Sequence, residues 1–231
     1  MWRQYRTIIP KEFIVCAVDT ASGLGDYTAA QFLSKTKLDV PIVFQSKVTT
    51  SDFIPDLIRT LEKIYDVTGI KPVVALERNN GGAFLMDRVD GLNLSGKYQV
   101  FKMPKFGSVD NNEPNLIGYV TSTATRPKML EELKDAIEKR LFKVYDRQTV
   151  MELLSFIIVQ TSSSVKAQAE RKAHDDLVMA LAIAWQMYQI CVPDTSETDL
   201  SSHESAFNEW KQQQKSSANQ GGVFSNGLYI G

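Results

Sequence analysis

Hydrophobic residues follow two different spacings along this chain, and the changes between them predict the order of its secondary-structure elements. An apolar run ends at Asp19, a glycine-rich turn follows, and a second β-type run continues through Phe32. Residues 41–48 (PIVFQSKV) are also β-rich, and Pro41 stands at their start, where a strand tolerates proline. Such runs joined by short turns predict an antiparallel hairpin extended by a third strand.

The apolar spacing then becomes helical and returns to strand-like runs afterwards. Residues 52–66 place most of their apolar side chains on one stripe, which predicts an amphipathic helix. The run PVVALE, which ends at Glu77, is dense enough in apolar residues for a strand covered on both faces. A glycine-containing turn and a short helix are predicted next, and residues 98–103 alternate as a further strand.

The second half of the chain is predicted to be mainly helical. Residues 104–125 are rich in Gly, Asn, Pro, Ser and Thr, which predicts a long loop or a small hairpin at 116–120. Residues 127–142 have helical apolar spacing, with a proline in the first turn. The run SFIIVQ at 155–160 is predicted as a further strand. Residues 175–191 are apolar on nearly all sides, which predicts a buried helix.

The composition changes after Pro193. Residues 194–231 consist largely of Ser, Gln, Asn, Gly and acids, which bury too little apolar area to offset the entropy of ordering. We therefore predict one domain at residues 1–193 and a flexible tail at 194–231. The whole chain carries a net charge of −1, and this near-neutral balance indicates no particular class of partner.

Cysteine usage and hydropathy predict a soluble intracellular protein. Cys16 and Cys191 both lie in apolar runs, which suits reduced core thiols in the cytosol better than a disulfide. The longest apolar run is interrupted by Gln186 and Gln189 and is too short to span a bilayer. The amino end has no apolar segment typical of a signal peptide, so no membrane association is predicted.

Acidic residues stand at the ends of elements that are predicted to be core. Asp19 and Glu77 each end a strand, and Asp175 and Asp176 begin the last helix. An Asp at a helix start can cap backbone N–H groups, which accounts for one of the pair, and no Arg or Lys occupies a comparable core position. Because unpaired buried carboxylates are costly, a divalent cation is the expected compensation. Carboxylates without clustered Cys or His favour Mg²⁺ or Mn²⁺ over zinc.

These motifs, in this order, resemble the nuclease domain of the large terminase subunit of tailed bacteriophages. The matching segments are VDTASGLGDYTA at the first hairpin, ALERNNGG after the fourth strand, GYVTSTATRPKMLEEL, and HDDLVMALAIAW at the last helix. They cover residues 14 to 190 and leave out the tail. The resemblance implies an α/β ribonuclease H-like fold: a mixed sheet whose first three strands are antiparallel and whose later strands are parallel, with helices on both faces.

The resemblance also implies a site and a reaction. It implies that Asp19, Glu77 and Asp176 are catalytic metal-binding acids, with Asp175 a close fourth. Neighbouring helix residues point about 100° apart, so spacing leaves open which of the pair binds directly, and we favour Asp176. Such acids can hold two divalent cations, Mg²⁺ or Mn²⁺, about 3.5 to 4 Å apart for phosphodiester hydrolysis.

The implied activity is endonucleolytic cutting of concatemeric viral double-stranded DNA during genome packaging, in the cytoplasm of the infected bacterial host. The implied partners are a terminase ATPase domain, the small terminase subunit and the capsid portal. The segment GLNLSGKY at 91–98 resembles a phosphate-binding loop, but Tyr98 replaces the required Ser or Thr, and the order of elements is reversed. We predict no ATPase motif in this chain, so the motor belongs to another polypeptide or to another part of a longer protein.

Several further residues are candidates for supporting roles. His174 can orient water or pass a proton, or it can be an ordinary polar or capping residue. Asp26 can support the acids, or it can be only a structural residue of the first glycine turn. Asn79 and Asn80 can contact substrate, or they can be only structural residues of the turn that follows Glu77. DNA phosphates are expected to meet basic side chains, each of which alone is an ordinary solvated charge. These basic candidates are Lys102, Lys105, Arg126, Lys128, Lys166, Arg171 and Lys172, of which the last three precede the acids directly.

Two other functions are compatible with the same acids. A Holliday-junction resolvase or a ribonuclease H would use them on a different substrate. In a non-catalytic module that docks on the capsid portal, the acids would be helix caps and surface charges.

Overall fold

A computed structural model describes residues 1–20, 27–103, 116–161 and 175–194. Its first compact unit is Met1–Pro193. The strands in these residues are β1 (Trp2–Gln4), β2 (Ile14–Asp19), β3 (Thr28–Ser34), β4 (Asp39–Ser46), β5 (Val73–Leu76), β6 (Gln99–Val100) and β7 (Lys143–Val144). The α-helices are α1 (Thr50–Thr68), α2 (Gly82–Gly91), α3 (Thr125–Glu138), α4 (Arg147–Thr161) and α5 (Asp176–Ile190). A single 3₁₀ turn, Asn79–Gly81, leads into α2.

The described strands form one mixed sheet in the order β1-β4-β3-β2-β5-β6, with β7 beside β4. Strands β2, β3, β4 and β1 pair antiparallel, whereas β5 runs parallel to β2, β6 parallel to β5, and β7 parallel to β4. The predicted arrangement, with three antiparallel strands followed by parallel additions, is therefore confirmed. Strand β2 lies inside the sheet and separates its antiparallel part from the parallel pair β5 and β6.

Both faces of the sheet are covered by helices, as predicted. Successive side chains of a strand point to opposite faces, so β2 contributes to two separate cores. Val15 and Ala17 pack in a cluster with α3 and α5. Ile14, Cys16 and Val18 pack in the other cluster, with α1 and α2. None of these five side chains is accessible to solvent, which explains why the run that ends at Asp19 is almost wholly apolar.

One predicted element was wrong. Residues 155–160, predicted as a strand, belong to helix α4. The helix begins after Asp146, whose Oδ2 accepts a hydrogen bond from the backbone N–H of Thr149 at 2.8 Å. Such a cap fixes a helical start eight residues before the apolar run begins, and a short apolar run by itself does not distinguish strand from helix.

Two edge strands were not predicted, and one helix is shorter than predicted. β1 and β7 contain only three and two residues, and both pair with β4. The helix predicted at 127–142 ends at Glu138, and Lys143 already pairs with β4. Elements this short have no hydrophobic period of their own, so they depend on the neighbouring strand for their hydrogen bonds.

Other predictions concern the cysteines, membrane association and the tail. Cys16 and Cys191 are buried free thiols, and burial raises the pKa of the Cys191 thiol to about 12. Among the helices of the described residues, none combines the length and the apolar character needed to cross a bilayer. From residue 195 onward, the predicted tail lies outside the described residues.

Candidate active site

The sheet brings Asp19 and Glu77 to one edge. β2 and β5 run parallel with Val18 opposite Leu76, so the residue after each of these positions emerges at the same end of the sheet. The backbone N–H of Glu77 donates to the carbonyl oxygen of Val18 at 2.9 Å, which extends the ladder by one more bond. Asp19 and Glu77 are far apart in the sequence, but they become neighbours because β2 and β5 are adjacent strands.

Helix α5 brings Asp175 and Asp176 to the same edge. The helix packs across β2 and β3, and Asp176 is its first residue. The buried Nε2 of Gln31, on β3, donates to the carbonyl oxygen of Leu177 at 3.2 Å and to Oγ1 of Thr149 at 2.9 Å. These bonds fix the first turn of α5 to the centre of the sheet.

Electrostatics at Asp19 show that the acids interact. Burial raises the pKa of the Asp19 carboxyl well above its usual range, and the nearby charges of Glu77, Asp176 and Asp175 raise it further. Asp19 also shares a hydrogen bond with Glu77. Repulsion between like charges and loss of hydration both favour the protonated form of a carboxyl group. The charges of three other carboxylates, from two other segments, therefore act on Asp19.

The segment before α3 fixes the orientation of Glu77. The hydroxyl of Thr121 donates to Oε1 of Glu77, and Nδ2 of Asn79 donates to the same oxygen at 3.1 Å. Asn79 also donates to the carbonyl oxygen of Thr121 at 2.9 Å, and Tyr119 forms a parallel bridge with Glu77. Asn79 therefore orients an acid as well as forming a turn. Thr121 was not singled out in the sequence, because nothing in its spacing indicates a contact with β5.

A basic side chain lies against Asp175, although no Arg or Lys was predicted at a comparable core position. Nη2 of Arg126, in the first turn of α3, is 2.5 Å from Oδ2 of Asp175, and both side chains are partly exposed. Arg126 was predicted to contact DNA, and that role stays a prediction. The ion pair offsets part of the negative charge of the cluster.

The capping interpretation of the Asp pair is wrong for Asp175. Asp175 is the N-cap residue of α5, but its side chain makes no capping hydrogen bond. The cap comes instead from Glu152 on α4, whose Oε2 accepts the backbone N–H of Leu177 at 3.0 Å. Glu152 is only 5% exposed, and burial, with a contribution from the charge of Asp176, raises its pKa to about 7. The sequence shows Glu152 only as one acid among apolar residues.

The remaining predicted residues divide into two groups. Lys102 is exposed and forms an antiparallel bridge with Ile117, and Lys128 is exposed on α3. The contacts of Lys102 and Lys128 indicate no particular function, so DNA binding by these two lysines stays a prediction. The other predicted residues lie outside the described residues: Asp26, Lys105, Lys166, Arg171, Lys172 and His174.

The acids suit a hard cation by their chemistry, although their present arrangement is not a complete cage. Within the described ranges, no three acidic, His or Cys side chains are grouped closely enough to hold an ion as they stand. Glu77 is turned toward Thr121, and Asp175 toward Arg126. The buried hydroxyl of Thr20, next to Asp19, has no hydrogen-bond partner in the described part of the chain. In donor chemistry alone, a set of carboxylate and hydroxyl oxygens is the kind that Mg²⁺ or Mn²⁺ takes.

Comparisons with known proteins find similarity at the level of the fold. No protein-family model matches the chain, and no curated protein sequence matches it. The large terminase nuclease from thermophilic phage G20c with bound cobalt is 19% identical, with a TM-score of 0.54 over 80% of this chain and 84% of that one. Its magnesium-bound form is 17% identical, with a TM-score of 0.53 over the same shares. The large terminase nuclease domain of Thermus phage P74-26 is 18% identical, with a TM-score of 0.52 over 81% of this chain and 84% of that one. The predicted resemblance to terminase nuclease domains is thus confirmed for the fold, which is ribonuclease H-like.

Proposed function

We propose that this chain is a metal-dependent DNA endonuclease of the large terminase type, which cuts concatemeric viral double-stranded DNA during genome packaging. The observation that carries the proposal is geometric: Asp19 and Glu77 follow paired positions of two adjacent parallel strands, and the helix that packs across β2 begins at Asp175 and Asp176. The raised pKa of the Asp19 carboxyl, caused by burial and by these neighbouring acids, supports the same arrangement. A shifted carboxyl group among other acids is typical of functional sites. The fold shared with phage terminase nucleases supports the same conclusion.

The acids would hold the cofactor ions, and neighbouring residues would position the acids. Asp19, Glu77 and Asp176 are the proposed ligands, with Asp175 beside them. When bound, two divalent cations, Mg²⁺ or Mn²⁺, activate water and stabilise the leaving 3′ oxygen. Thr121 and Asn79 orient Glu77.

Two candidates for supporting roles complete the proposed site. His174 is a candidate for orienting water, and Asp26 for supporting the acids. The related G20c nuclease was obtained with bound magnesium and with bound cobalt, which supports the divalent class of ion.

The proposed setting is the cytoplasm of an infected bacterial host. There the domain would act with a terminase ATPase domain, the small terminase subunit and the capsid portal. These partners are implied by the resemblance to large terminase subunits.

A comparison of substrates tests the activity. Plasmid duplex, a four-way junction and an RNA–DNA hybrid are each incubated with the full chain in Mn²⁺, in Mg²⁺ and in excess chelator. We expect cleavage of duplex DNA with either ion and none with the chelator, because the carboxylates alone provide no Lewis acid. Preference for the junction or the hybrid would replace the terminase assignment by a resolvase or a ribonuclease H. Inertness toward all three would favour the portal-docking module.

Binding of DNA is expected to depend steeply on salt. If Lys102, Arg126 and Lys128 each neutralise a phosphate, removing one should reduce the slope of log affinity against log salt by about 0.9. Fluorescence anisotropy with a labelled duplex, from about 50 to 200 mM salt, measures this slope. Lys102→Gln is the variant of choice because its side chain is exposed. Lys63→Gln, exposed on α1, serves as the control and should leave the slope unchanged. Equal slopes for the two variants would remove Lys102 from the DNA interface.

A further inference from the structure

The start of α5 is capped by a residue from another helix. The first four N–H groups of an α-helix have no partner within the helix, and a preceding Asp commonly binds one of them. In α5 the preceding residue, Asp175, makes no such bond. Oε2 of Glu152, on α4, accepts the N–H group of Leu177 instead, and the adjacent N–H group of Val178 favours the charged form of the same carboxyl group.

Glu152 is itself held in place by a second donor. Its Oε1 accepts a hydrogen bond from Nε2 of Gln45, on β4, at 3.0 Å, while its Oε2 accepts from Leu177 at 3.0 Å. On the opposite side of the same turn, Gln31 donates to the carbonyl oxygen of Leu177. The backbone N–H and the backbone carbonyl of Leu177 are therefore both hydrogen-bonded to buried side chains from other elements.

The charge of Glu152 makes this arrangement costly. A buried carboxylate close to Asp176 adds repulsion to a cluster that is already acidic. A helix cap is available more simply from the residue that precedes the helix. If Asp175 capped α5, however, its carboxylate would point at its own backbone and would not be free to face Arg126 or an ion.

We propose that Glu152 is a positioning residue for the metal-binding acids: it caps α5 in place of Asp175, so that the carboxylate of Asp175 stays free of its own backbone and available to Arg126 or to an ion beside Asp176. The role in metal binding rests on the proposed function above. The capping role rests on the hydrogen bonds alone. Glu152 touches neither substrate nor ion in this proposal, and it acts through the backbone of α5.

The variant Glu152→Met tests the proposal with little change in the length of the side chain. Both oxygens of Glu152 accept hydrogen bonds, so the thioether leaves the N–H of Leu177 without its acceptor. The variant Glu152→Gln restores that acceptor, because its amide oxygen can accept from Leu177 while its NH₂ group donates to the amide oxygen of Gln45. The pair therefore separates a specific hydrogen-bond requirement from a general loss of packing.

Two measurements on the full chain are needed. Amide hydrogen exchange without metal reports the protection of Leu177 and Val178, and calorimetric titration with Mn²⁺ alone reports ion affinity. We expect Glu152→Met to expose both amides and to weaken Mn²⁺ binding by about 10- to 100-fold, the usual effect of losing a residue that orients a metal ligand. Glu152→Gln should recover both properties. Thr49→Ala, which removes the N-cap of α1, should lower stability while leaving Mn²⁺ affinity as in the wild type.

The outcomes distinguish this inference from the proposed function. Unchanged exchange at Leu177 and Val178 in Glu152→Met would overturn the capping role. Increased exchange with wild-type Mn²⁺ affinity would show that the cap serves stability only, and would overturn the positioning role while leaving the nuclease proposal intact. Absence of Mn²⁺ binding by the wild-type chain would overturn the positioning role and the nuclease proposal together.

Discussion

Asp19→Asn is expected to abolish Mn²⁺-dependent plasmid cleavage and, in the absence of metal, to make the folded chain more stable at neutral pH. Asparagine keeps the shape of the side chain but removes the charge that Glu77, Asp176 and Asp175 repel. Loss of a central ligand should reduce cleavage by more than about 100-fold, since residues that only orient ligands already contribute 10- to 100-fold. Gel analysis of nicked and linear plasmid measures the loss.

The stability gain has a defined dependence on pH. The pKa of Asp19 is raised in the folded state, so between the ordinary value of about 3.9 and the raised value the folded chain binds more protons than the unfolded chain. The free energy of unfolding of the metal-free wild type therefore falls as pH rises through that window. Asparagine does not titrate, so the advantage of the variant should grow with pH.

Thermal unfolding in chelator across this pH range tests the prediction. Asp56→Asn, which changes a half-exposed acid on α1, is the control and should not reproduce the stabilisation. Mn²⁺ should then reverse the order of stability, because an ion present at 100 times its dissociation constant adds about 2.7 kcal/mol to the wild type alone. Curves for Asp19→Asn that parallel those of the wild type, with and without Mn²⁺, would contradict convergence of the acids.

Much of the site could be predicted because its acids end strongly patterned elements. The apolar runs before Asp19 and Glu77 are dense enough to mark buried strands, and α5 is apolar on nearly every side. Once β2 and β5 are parallel neighbours, their carboxyl ends must lie at one edge of the sheet. Convergence of these acids thus follows from patterns that are local in the sequence.

The residues that orient the acids could not be predicted in the same way. Glu152, Thr121 and Arg126 reach their partners only through the packing of α4 and α3 against other elements. Each is an ordinary residue in its own segment, and no spacing connects it to its partner. The misassigned run at 155–160 has a similar cause, since the signal that fixes α4 as a helix is the cap at Asp146. These positions are determined by hydrogen bonds between residues far apart in the sequence, which the local spacing of apolar residues does not reveal.

Gly82→Ala should have the largest effect of any single methyl group added at the glycines in the described part of the chain. A Cβ atom at Gly82 would lie 1.7 Å from the carbonyl oxygen of Glu77 and 2.9 Å from its carbonyl carbon, so the backbone that carries this acid must shift. Rigid overpacking of this kind costs about 3 kcal/mol, and displacement of Glu77 should remove cleavage as well.

Gly91→Ala is the matched control, because it lies in the same helix with nothing within 4 Å of the new methyl group, and it should gain up to about 1 kcal/mol. Chemical denaturation and the plasmid assay measure both effects. Wild-type stability and cleavage in Gly82→Ala would show that α2 does not need to approach Glu77 this closely, and that the acid is positioned by Thr121 and Asn79 alone.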